Sequence, residues 1–174
     1  LAQQPPCLGD RLFTPPELQG QRLDSVRRTH DHDRFGLAVL VFQLLFMGRH
    51  PFAGRFQGQG DDSIERAIRE FRFAYSRTAS SKGMSPPPAT LTLAHVTPKI
   101  TGFLEQAFSR EASLGSSRPK TAEWIQALEE LKRSLSQCTT NTAHKFYSSL
   151  KSCPWCQIEN TIGTALFVGI VRAE

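Results

Sequence analysis

The feature that most constrains the fold of this chain is a nearly unbroken apolar run from Phe35 to Met47. The run is longer than an ordinary strand, and the helix-terminating residues Gly48 and Pro51 follow it. Because apolar residues occupy every side of the predicted helix, we expect it to be buried all round, as the central helix of a helical domain. It falls short of the roughly 20 residues that a membrane-spanning helix needs, so we expect no membrane contact.

Three further helices are predicted from capping residues and apolar spacing. Asp62-Ser63 caps one helix, Thr97-Pro98 opens a second, and Pro119 opens a third that carries Trp124. A stretch rich in serine and proline, at about residues 76–93, is predicted to be a surface loop, and no segment is predicted to be a strand. The predicted fold class is therefore mainly α.

Composition and charge place the chain among soluble globular proteins. Its 174 residues suffice for one modest domain with an appendage, and 39% hydrophobic and 21% charged residues are ordinary values. The net charge of +5 comes from scattered residues and is weak evidence for nucleic-acid binding. No secretory signal follows Leu1, and Cys7 is expected to be a lone reduced thiol, so we expect a cytoplasmic location and a chain cut from a larger parent protein.

A second pattern joins residues that are far apart in the sequence. Glu17 follows Pro15-Pro16, Asp31 precedes the apolar run, and Arg118-Pro119 opens a late helix. Taken singly, Glu17 and Arg118 are typical exposed charges. Taken in this order, they predict a bidentate ion pair that fastens a rigid proline-flanked loop to the helical body.

This order and spacing resemble the C-terminal lobe of protein kinases over roughly residues 7–135. Protein kinases end their activation segment in Ala-Pro-Glu, which Pro15-Pro16-Glu17 resembles, and begin a buried helix with an aspartate, here Asp31 in a segment that ends at Phe35-Gly36. They close with an Arg-Pro that begins a late helix, as Arg118-Pro119 does here. The resemblance implies a kinase-like C-lobe.

The resemblance also assigns roles to single residues. It implies that Glu17 pairs with Arg118, that Asp31 accepts hydrogen bonds from the backbone of a catalytic loop, and that Gly36 is part of the same structural motif. It places Gly9, Asp10 and Phe13 in the peptide-binding loop. Many Ser/Thr kinases have, where this chain has Asp10, a threonine that contacts the catalytic aspartate. Asp10 would bring a second carboxylate close to that aspartate and raise the pKa of one of the two acids. This difference weakens the case for ordinary Ser/Thr activity.

The catalytic residues of a kinase do not occur in this sequence. Phosphoryl transfer needs a glycine-rich loop, a His-Arg-Asp loop and an Asp-Phe-Gly segment, and none of these is present. We therefore expect the chain alone to be inactive, with ATP and magnesium bound only by the full-length parent.

Four metal-binding residues lie near the C-terminal end of the sequence. Cys138, His144, Cys153 and Cys156 form the pattern C-x5-H-x8-C-x2-C, which predicts a closed, structural zinc site. A redox dithiol or a disulfide at Cys153-Pro154-Trp155-Cys156 is the alternative. The segment from His30 to Asp33 also offers ligand types, but its neighbouring side chains point in different directions on a helix.

The whole combination resembles a bacterial family of kinase-like proteins with a cysteine-containing tail and a helix-hairpin-helix DNA-binding region. Only Ile162-Gly163-Thr164 resembles a fragment of such a hairpin. The predicted domains are a kinase-like C-lobe over residues 1–137 and a zinc-binding tail over residues 138–174.

Three functions are compatible with these observations. The first is the C-lobe of a bacterial Ser/Thr protein kinase-like signalling protein, whose parent phosphorylates a protein substrate. The second is a pseudokinase-type scaffold that binds partner proteins, and the third is a nucleic-acid-binding module centred on the tail, with DNA as the partner of the parent.

Overall fold

The structure is a computed structural model that describes residues 11–22 and 25–167. Within these ranges, the chain forms six α-helices and four short strands. The helices are α1 (His30–Leu45), α2 (Ile64–Arg69), α3 (Pro98–Ala107), α4 (Arg110–Gly115), α5 (Thr121–Arg133) and α6 (Pro154–Ile162). The strands are β1 (Arg55–Phe56), β2 (Met84–Ser85), β3 (Leu135–Gln137) and β4 (Lys145–Tyr147). The mainly helical prediction agrees with this architecture.

Helix α1 is the central helix that the apolar run predicts. Its first turn carries Asp31, and after Leu45 the chain leaves the helix through Met47 and Gly48, which both have positive φ angles. Phe35, Phe42 and the residues between them on the same face are buried. The helix contacts α3, so the core of the domain lies on this side of α1.

The opposite side of α1 is open, and the prediction that this helix is buried all round is wrong for the described residues. Leu40 is 49% exposed and Leu44 is 84% exposed. Apolar residues do surround the helix, but the elements that the structure describes cover only one of its faces. The sequence pattern reports the apolar character of a residue and not which neighbour covers it.

Aromatic rings fill much of the core beside α1. Phe42 stacks on Phe46 at a centroid distance of 4.1 Å, and Phe73 meets Phe108 edge-on at 4.9 Å. Phe52 contacts both Phe35 and Phe108, so the turn after α1 is packed against the same cluster. These offset and edge-on arrangements are the ones that aromatic pairs prefer.

The predicted caps of two later helices agree with the structure. Ser63 Oγ accepts a hydrogen bond from the Arg66 backbone N–H at the start of α2, and Thr97 caps α3, whose first residue is Pro98. Helix α5 begins at Thr121, two residues later than the Pro119 signal indicates. It buries Trp124, whose ring meets Phe103 edge-on at 5.4 Å.

The prediction of no strands is wrong, because two antiparallel strand pairs are present. Strand β1 pairs with β2 through Arg55–Ser85 and Phe56–Met84. Strand β3 pairs with β4 from Leu135–Tyr147 to Gln137–Lys145. Strands of two or three residues are too short to show an alternating pattern, so hydrophobic periodicity gives no signal for them.

The stretch at about residues 76–93 contains more structure than the predicted loop. It holds a 3-10 turn at Ala79–Lys82 and strand β2, and it buries Met84 and Leu91. Helices α4 and α6 also lie outside the predicted elements.

The C-terminal hairpin follows α5 almost without a break. Helix α5 ends at Arg133 and β3 begins at Leu135, so only Ser134 separates them. The Ser134 backbone N–H donates to Glu130 O at 3.1 Å, and its carbonyl accepts from the Ser148 N–H at 2.9 Å.

No helix in the described parts of the chain is long and apolar enough to cross a membrane.

Gly54 and Gly102 provide a matched test of how closely other atoms pack against the backbone. A Cβ atom on Gly54 would lie 2.5 Å from Ala74 Cβ and 2.6 Å from Ser85 O, whereas a Cβ atom on Gly102 in α3 has no atom within 4 Å. We expect Gly54→Ala to lower the free energy of unfolding by about 1–3 kcal/mol through overpacking. Gly102→Ala should raise it by roughly 0.5–1 kcal/mol, because alanine favours the helix. Chemical denaturation measures both, and equal stabilities for the two variants would contradict the close approach at Gly54.

Candidate functional site

Two clusters of charged or metal-binding side chains stand out in the structure. The ion cluster consists of Glu17, Asp31 and Arg118. The thiol–imidazole cluster consists of Cys138, His144, Cys153 and Cys156. The first lies within the helical body, and the second lies between the C-terminal hairpin and α6.

Local structure explains how the three residues of the ion cluster meet. Pro15 and Pro16 begin a short 3-10 turn, Pro16–Leu18, which carries Glu17. Asp31 lies in the first turn of α1, where the helix dipole favours a carboxylate. Arg118 lies in the segment between α4 and α5.

The Arg118 guanidinium bridges the two carboxylates. Its Nη1 and Nη2 donate to the two carboxylate oxygens of Glu17 at 2.7 and 3.0 Å, so this pair is bidentate. Nη1 also donates to Asp31 Oδ2 at 2.6 Å, and the Arg118 backbone N–H donates to Asp31 Oδ1 at 3.0 Å. The remaining guanidinium nitrogen, Nε, donates to Ala107 O at 3.2 Å.

Burial makes this arrangement energetically important. The Arg118 side chain is 0% exposed and that of Asp31 is 5% exposed, so both charges need compensation within the protein. The Arg118 guanidinium is the nearest cation to Asp31, and Arg34 Nη1 lies farther away, 3.7 Å from Asp31 Oδ1. The Glu17 side chain retains 24% exposure. Burial raises the pKa of the Glu17 carboxyl, but hydrogen bonds from Arg118 and Ser113 outweigh it and leave the pKa below its usual value.

One member of this environment has no signal in the sequence. Ser113 Oγ in α4 donates to Glu17 Oε2 at 2.6 Å. A serine in a short polar helix is ordinary, and only the fold brings it next to Glu17.

The other residues predicted from the kinase resemblance lie in different places. Gly36 lies on α1 next to the Arg11–Phe13 turn, since a Cβ atom there would be 3.5 Å from Phe13 O. Phe13 is partly buried against the hydrophobic core. Gly9, Asp10 and Cys7 lie outside the described residues.

The alternative metal site from His30 to Asp33 is not assembled in the structure. Asp31 faces Arg118, Asp33 pairs with Arg28 at 2.8 Å, and His32 Nδ1 accepts from the Thr29 backbone N–H at 3.1 Å. Among the described residues, the thiol–imidazole cluster is the group whose ligand atoms converge.

The hairpin and α6 each supply two residues of the thiol–imidazole cluster. Cys138 and His144 flank the loop that joins β3 to β4, and the Cys138 N–H donates to His144 O at 3.0 Å. Cys153 is the N-cap residue of α6, and Cys156 lies in its first turn. A tight loop and a helix start therefore face each other with two ligands apiece.

The spacing of the four ligand atoms fits a tetrahedral metal. Cys138 Sγ lies 3.6 Å from Cys156 Sγ, and His144 Nδ1 lies 3.6 Å from Cys153 Sγ and 3.4 Å from Cys156 Sγ. Zinc–sulfur bonds of about 2.3 Å in a tetrahedron place sulfurs about 3.8 Å apart, so the observed distances are close to this value. All four ligand atoms lie within 4.8 Å of one another, and the cluster could hold a zinc ion.

The same distances bear on the dithiol and disulfide alternatives. The cysteines at 138, 153 and 156 are free, and a disulfide would need a sulfur–sulfur distance of about 2.05 Å. Cys153 and Cys156 also share their site with a third thiol and an imidazole. This four-ligand arrangement favours metal binding over an isolated redox pair.

The environments of the thiols differ in a way that suits a bound cation. Backbone N–H groups of Asn141 and Thr140 lower the pKa of Cys138 to about 6. Burial and the hydrogen bonds with Cys138 and Cys153 raise the pKa of Cys156 to about 12. Because the three thiols share one site, ionisation of all of them there needs a positive charge that a metal would provide.

Two polar residues beside His144 were not predicted from the sequence. Glu159 Oε1 and Asn141 Nδ2 each lie 3.1 Å from His144 Nε2. Glu159 Oε1 also accepts the Leu166 backbone N–H at 2.7 Å, and this hydrogen bond is the main reason that the pKa of Glu159 is below its usual value. No spacing rule links either residue to a metal ligand, so the fold alone reveals them.

The ion cluster predicts unequal costs for its members. Arg118→Ala should lower the free energy of unfolding by roughly 3–5 kcal/mol, because it removes the guanidinium that compensates the buried Asp31 carboxylate. Among the described residues, only the backbone N–H at position 118 and Arg34, whose Nη1 lies 3.7 Å from Asp31 Oδ1, would remain as partners. The cost of Glu17→Gln should be smaller, since Glu17 is partly exposed. In a double-mutant cycle measured by denaturation, Arg118 and Asp31 should be strongly coupled. Arg28→Ala in the exposed pair with Asp33 is the control and should change stability by less than about 1 kcal/mol. Additive effects of the substitutions at Arg118 and Asp31 would contradict this interpretation.

The thiol–imidazole cluster predicts metal binding that depends on its cysteines. Purified protein should contain one equivalent of zinc by elemental analysis, and Cys153→Ser together with Cys156→Ser should abolish it, because two of four ligands are lost. Met84→Leu, in the buried core away from the cluster, is the control and should retain the metal. Zinc that survives the double substitution would refute the ligand assignment.

Comparison with known proteins agrees with a kinase-like relationship. The chain is 36% identical over 165 residues to a protein named protein kinase YegI from Escherichia coli O157:H7, and 35% identical over the same length to its counterpart from strain K12. Each alignment covers 94% of this chain but only 25% of the relative. No protein-family model and no solved structure matches the chain. The chain thus spans about a quarter of the length of these bacterial relatives, and its similarity to them supports a kinase-like relationship.

Proposed function

We propose that this chain is the C-lobe portion of a bacterial Ser/Thr protein kinase-like protein, whose full-length form transfers the γ-phosphate of ATP to a protein. The observation that carries the proposal is the buried bridge from Arg118 to Glu17 and Asp31, at the positions that match the kinase motifs. The similarity to two proteins named protein kinase supports it.

In this proposal the ion cluster has a positioning role. Arg118 ties the turn at Pro16–Leu18 to the first turn of α1 through two charge-assisted contacts. The residues before this turn would belong to the peptide-binding loop, so the bridge would hold one end of that loop on the helical body. Residues 1–137 would form the lobe, and the phosphate-binding and proton-accepting groups would come from elsewhere in the parent.

The second part of the proposal is a structural zinc in the tail, residues 138–174. Four protein ligands leave no coordination position for water or substrate, so this metal would stabilise and not catalyse. The hairpin and α6 bury few apolar side chains between them, notably Ile158. Zinc binding contributes on the order of 10–16 kcal/mol to small domains of this kind, which offsets a small core.

Phosphoryl transfer by the full-length protein tests the proposal. We expect the wild-type protein to transfer radiolabelled γ-phosphate from ATP, with magnesium, to serine or threonine in itself or in a general acceptor protein. Arg118→Lys keeps the charge but loses the bidentate fork, and we expect it to lower the rate about tenfold or more. Arg28→Lys, in an exposed ion pair, is the matched control and should leave the rate unchanged.

Each outcome of this assay separates the proposal from its alternatives. A wild-type protein that transfers no phosphate would refute the proposed kinase activity. The pseudokinase-type scaffold would then be the better interpretation. Equal rates for wild type and Arg118→Lys would refute the positioning role of the ion cluster. DNA binding that weakens with salt and disappears when residues after Ser136 are removed would support the nucleic-acid module instead.

A further inference from the structure

The His144 imidazole is fully buried, and its two nitrogens face chemically different groups. Nδ1 lies 3.4 Å from Cys156 Sγ and 3.6 Å from Cys153 Sγ. Nε2 lies on the other side of the ring, 3.1 Å from the Glu159 carboxylate. One edge of the ring thus faces the thiols and the other faces an acid.

The two edges require a particular tautomer when a metal is bound. A neutral imidazole carries one N–H group and one lone pair, and a metal binds only the lone pair. Since the Cys153 and Cys156 sulfurs lie beside Nδ1, a metal bound to them needs the lone pair on Nδ1 and the proton on Nε2. A carboxylate accepts hydrogen bonds and donates none when ionised, so Glu159 stabilises this tautomer.

Asn141 favours the opposite tautomer. Its Oδ1 accepts the Ala143 backbone N–H at 3.0 Å, which turns the amide Nδ2 toward His144 Nε2 at 3.1 Å. An amide nitrogen donates hydrogen bonds and does not accept them, so it stabilises only an unprotonated Nε2. The charged neighbour is the stronger partner, because hydrogen bonds to an ionised acceptor are roughly twice as strong as neutral ones.

Glu159 is itself held in place by the fold. It lies in α6, and its backbone carbonyl accepts the Gly163 N–H at 2.8 Å. Its Oε1 accepts the Leu166 N–H at 2.7 Å as well as facing His144. The ring of Phe167 then meets His144 edge-on at 5.3 Å, which covers the imidazole.

We propose that Glu159 is the positioning residue of the metal centre, and that its hydrogen bond to Nε2 makes His144 an Nδ1 ligand. The proposal rests on the zinc site proposed above and adds the residue that sets the orientation of its single imidazole. Such partners of metal-bound histidines are common, and their removal typically weakens metal binding on the order of 10–100-fold.

Zinc affinity of a small set of variants tests this role. Affinity is measured by competition with a chromophoric chelator on the whole chain. We expect Glu159→Ala to weaken zinc binding on the order of 10–100-fold. Glu159→Gln should lose less, because its carbonyl oxygen still accepts a hydrogen bond. Asn160→Ala, an exposed neighbour on the same helix, is the control and should match wild type.

A substitution at Asn141 distinguishes the tautomer from a general effect on folding. Asn141→Asp keeps the acceptor for Ala143 and replaces the opposing amide nitrogen with an acceptor facing Nε2. We therefore expect it to preserve zinc affinity on its own and to restore part of the affinity lost in Glu159→Ala. A purely structural role of Glu159 predicts no such rescue.

Nuclear magnetic resonance of the zinc-loaded wild-type protein gives an independent result. Long-range nitrogen–proton correlations should show His144 protonated at Nε2, with Nδ1 bound to the metal. Zinc bound through Nε2, or wild-type affinity in Glu159→Ala, would overturn the role of Glu159. A wild-type protein that binds no zinc at all would instead refute the metal site itself, so the two failures are distinguishable.

Discussion

The helical body depends on the burial of one guanidinium beside one carboxylate. Arg118 and Asp31 lie almost fully out of water, where a charge is very unfavourable unless it is compensated, and they are in direct contact. Because the two residues are 87 positions apart, their contact can form only when α1 and the segment before α5 are both in place. Glu17 then adds a third, partly exposed charge, which brings the N-terminal turn into the same arrangement. The same guanidinium thus contacts both the first turn of α1 and the N-terminal turn.

In the tail, a different interaction would compensate buried charge. The hairpin and α6 bring together three thiols and an imidazole. The thiols can lie this close when they are protonated, but they would repel one another as thiolates. A doubly charged metal would favour the ionised thiols and close the arrangement. Glu159 and the aromatic ring of Phe167 complete the surroundings of the imidazole from the side away from the sulfurs. Charge compensation by Arg118 thus stabilises the ion cluster, and a metal would have the same role in the thiol–imidazole cluster.

Sequence patterns predict the parts of this molecule that depend on residue type and spacing. The apolar run identifies α1, capping residues identify the starts of α2 and α3, and the cysteine spacing identifies the ligands that converge. These patterns do not predict the features that depend on tertiary contacts. The exposure of Leu40 and Leu44, the two-residue strands and the contacts of Ser113 and Glu159 follow from tertiary packing, for which a single sequence carries no local signal.

The single residue between α5 and β3 has a mechanical consequence. Ser134 belongs to the hydrogen bonding of both the last helical turn and the hairpin, so no flexible linker separates α5 from β3. A domain on a flexible tether would sample many orientations and search for partners independently. Here, the direction of the hairpin is set by α5, which is itself fixed in the protein by the buried Trp124 and its contact with Phe103.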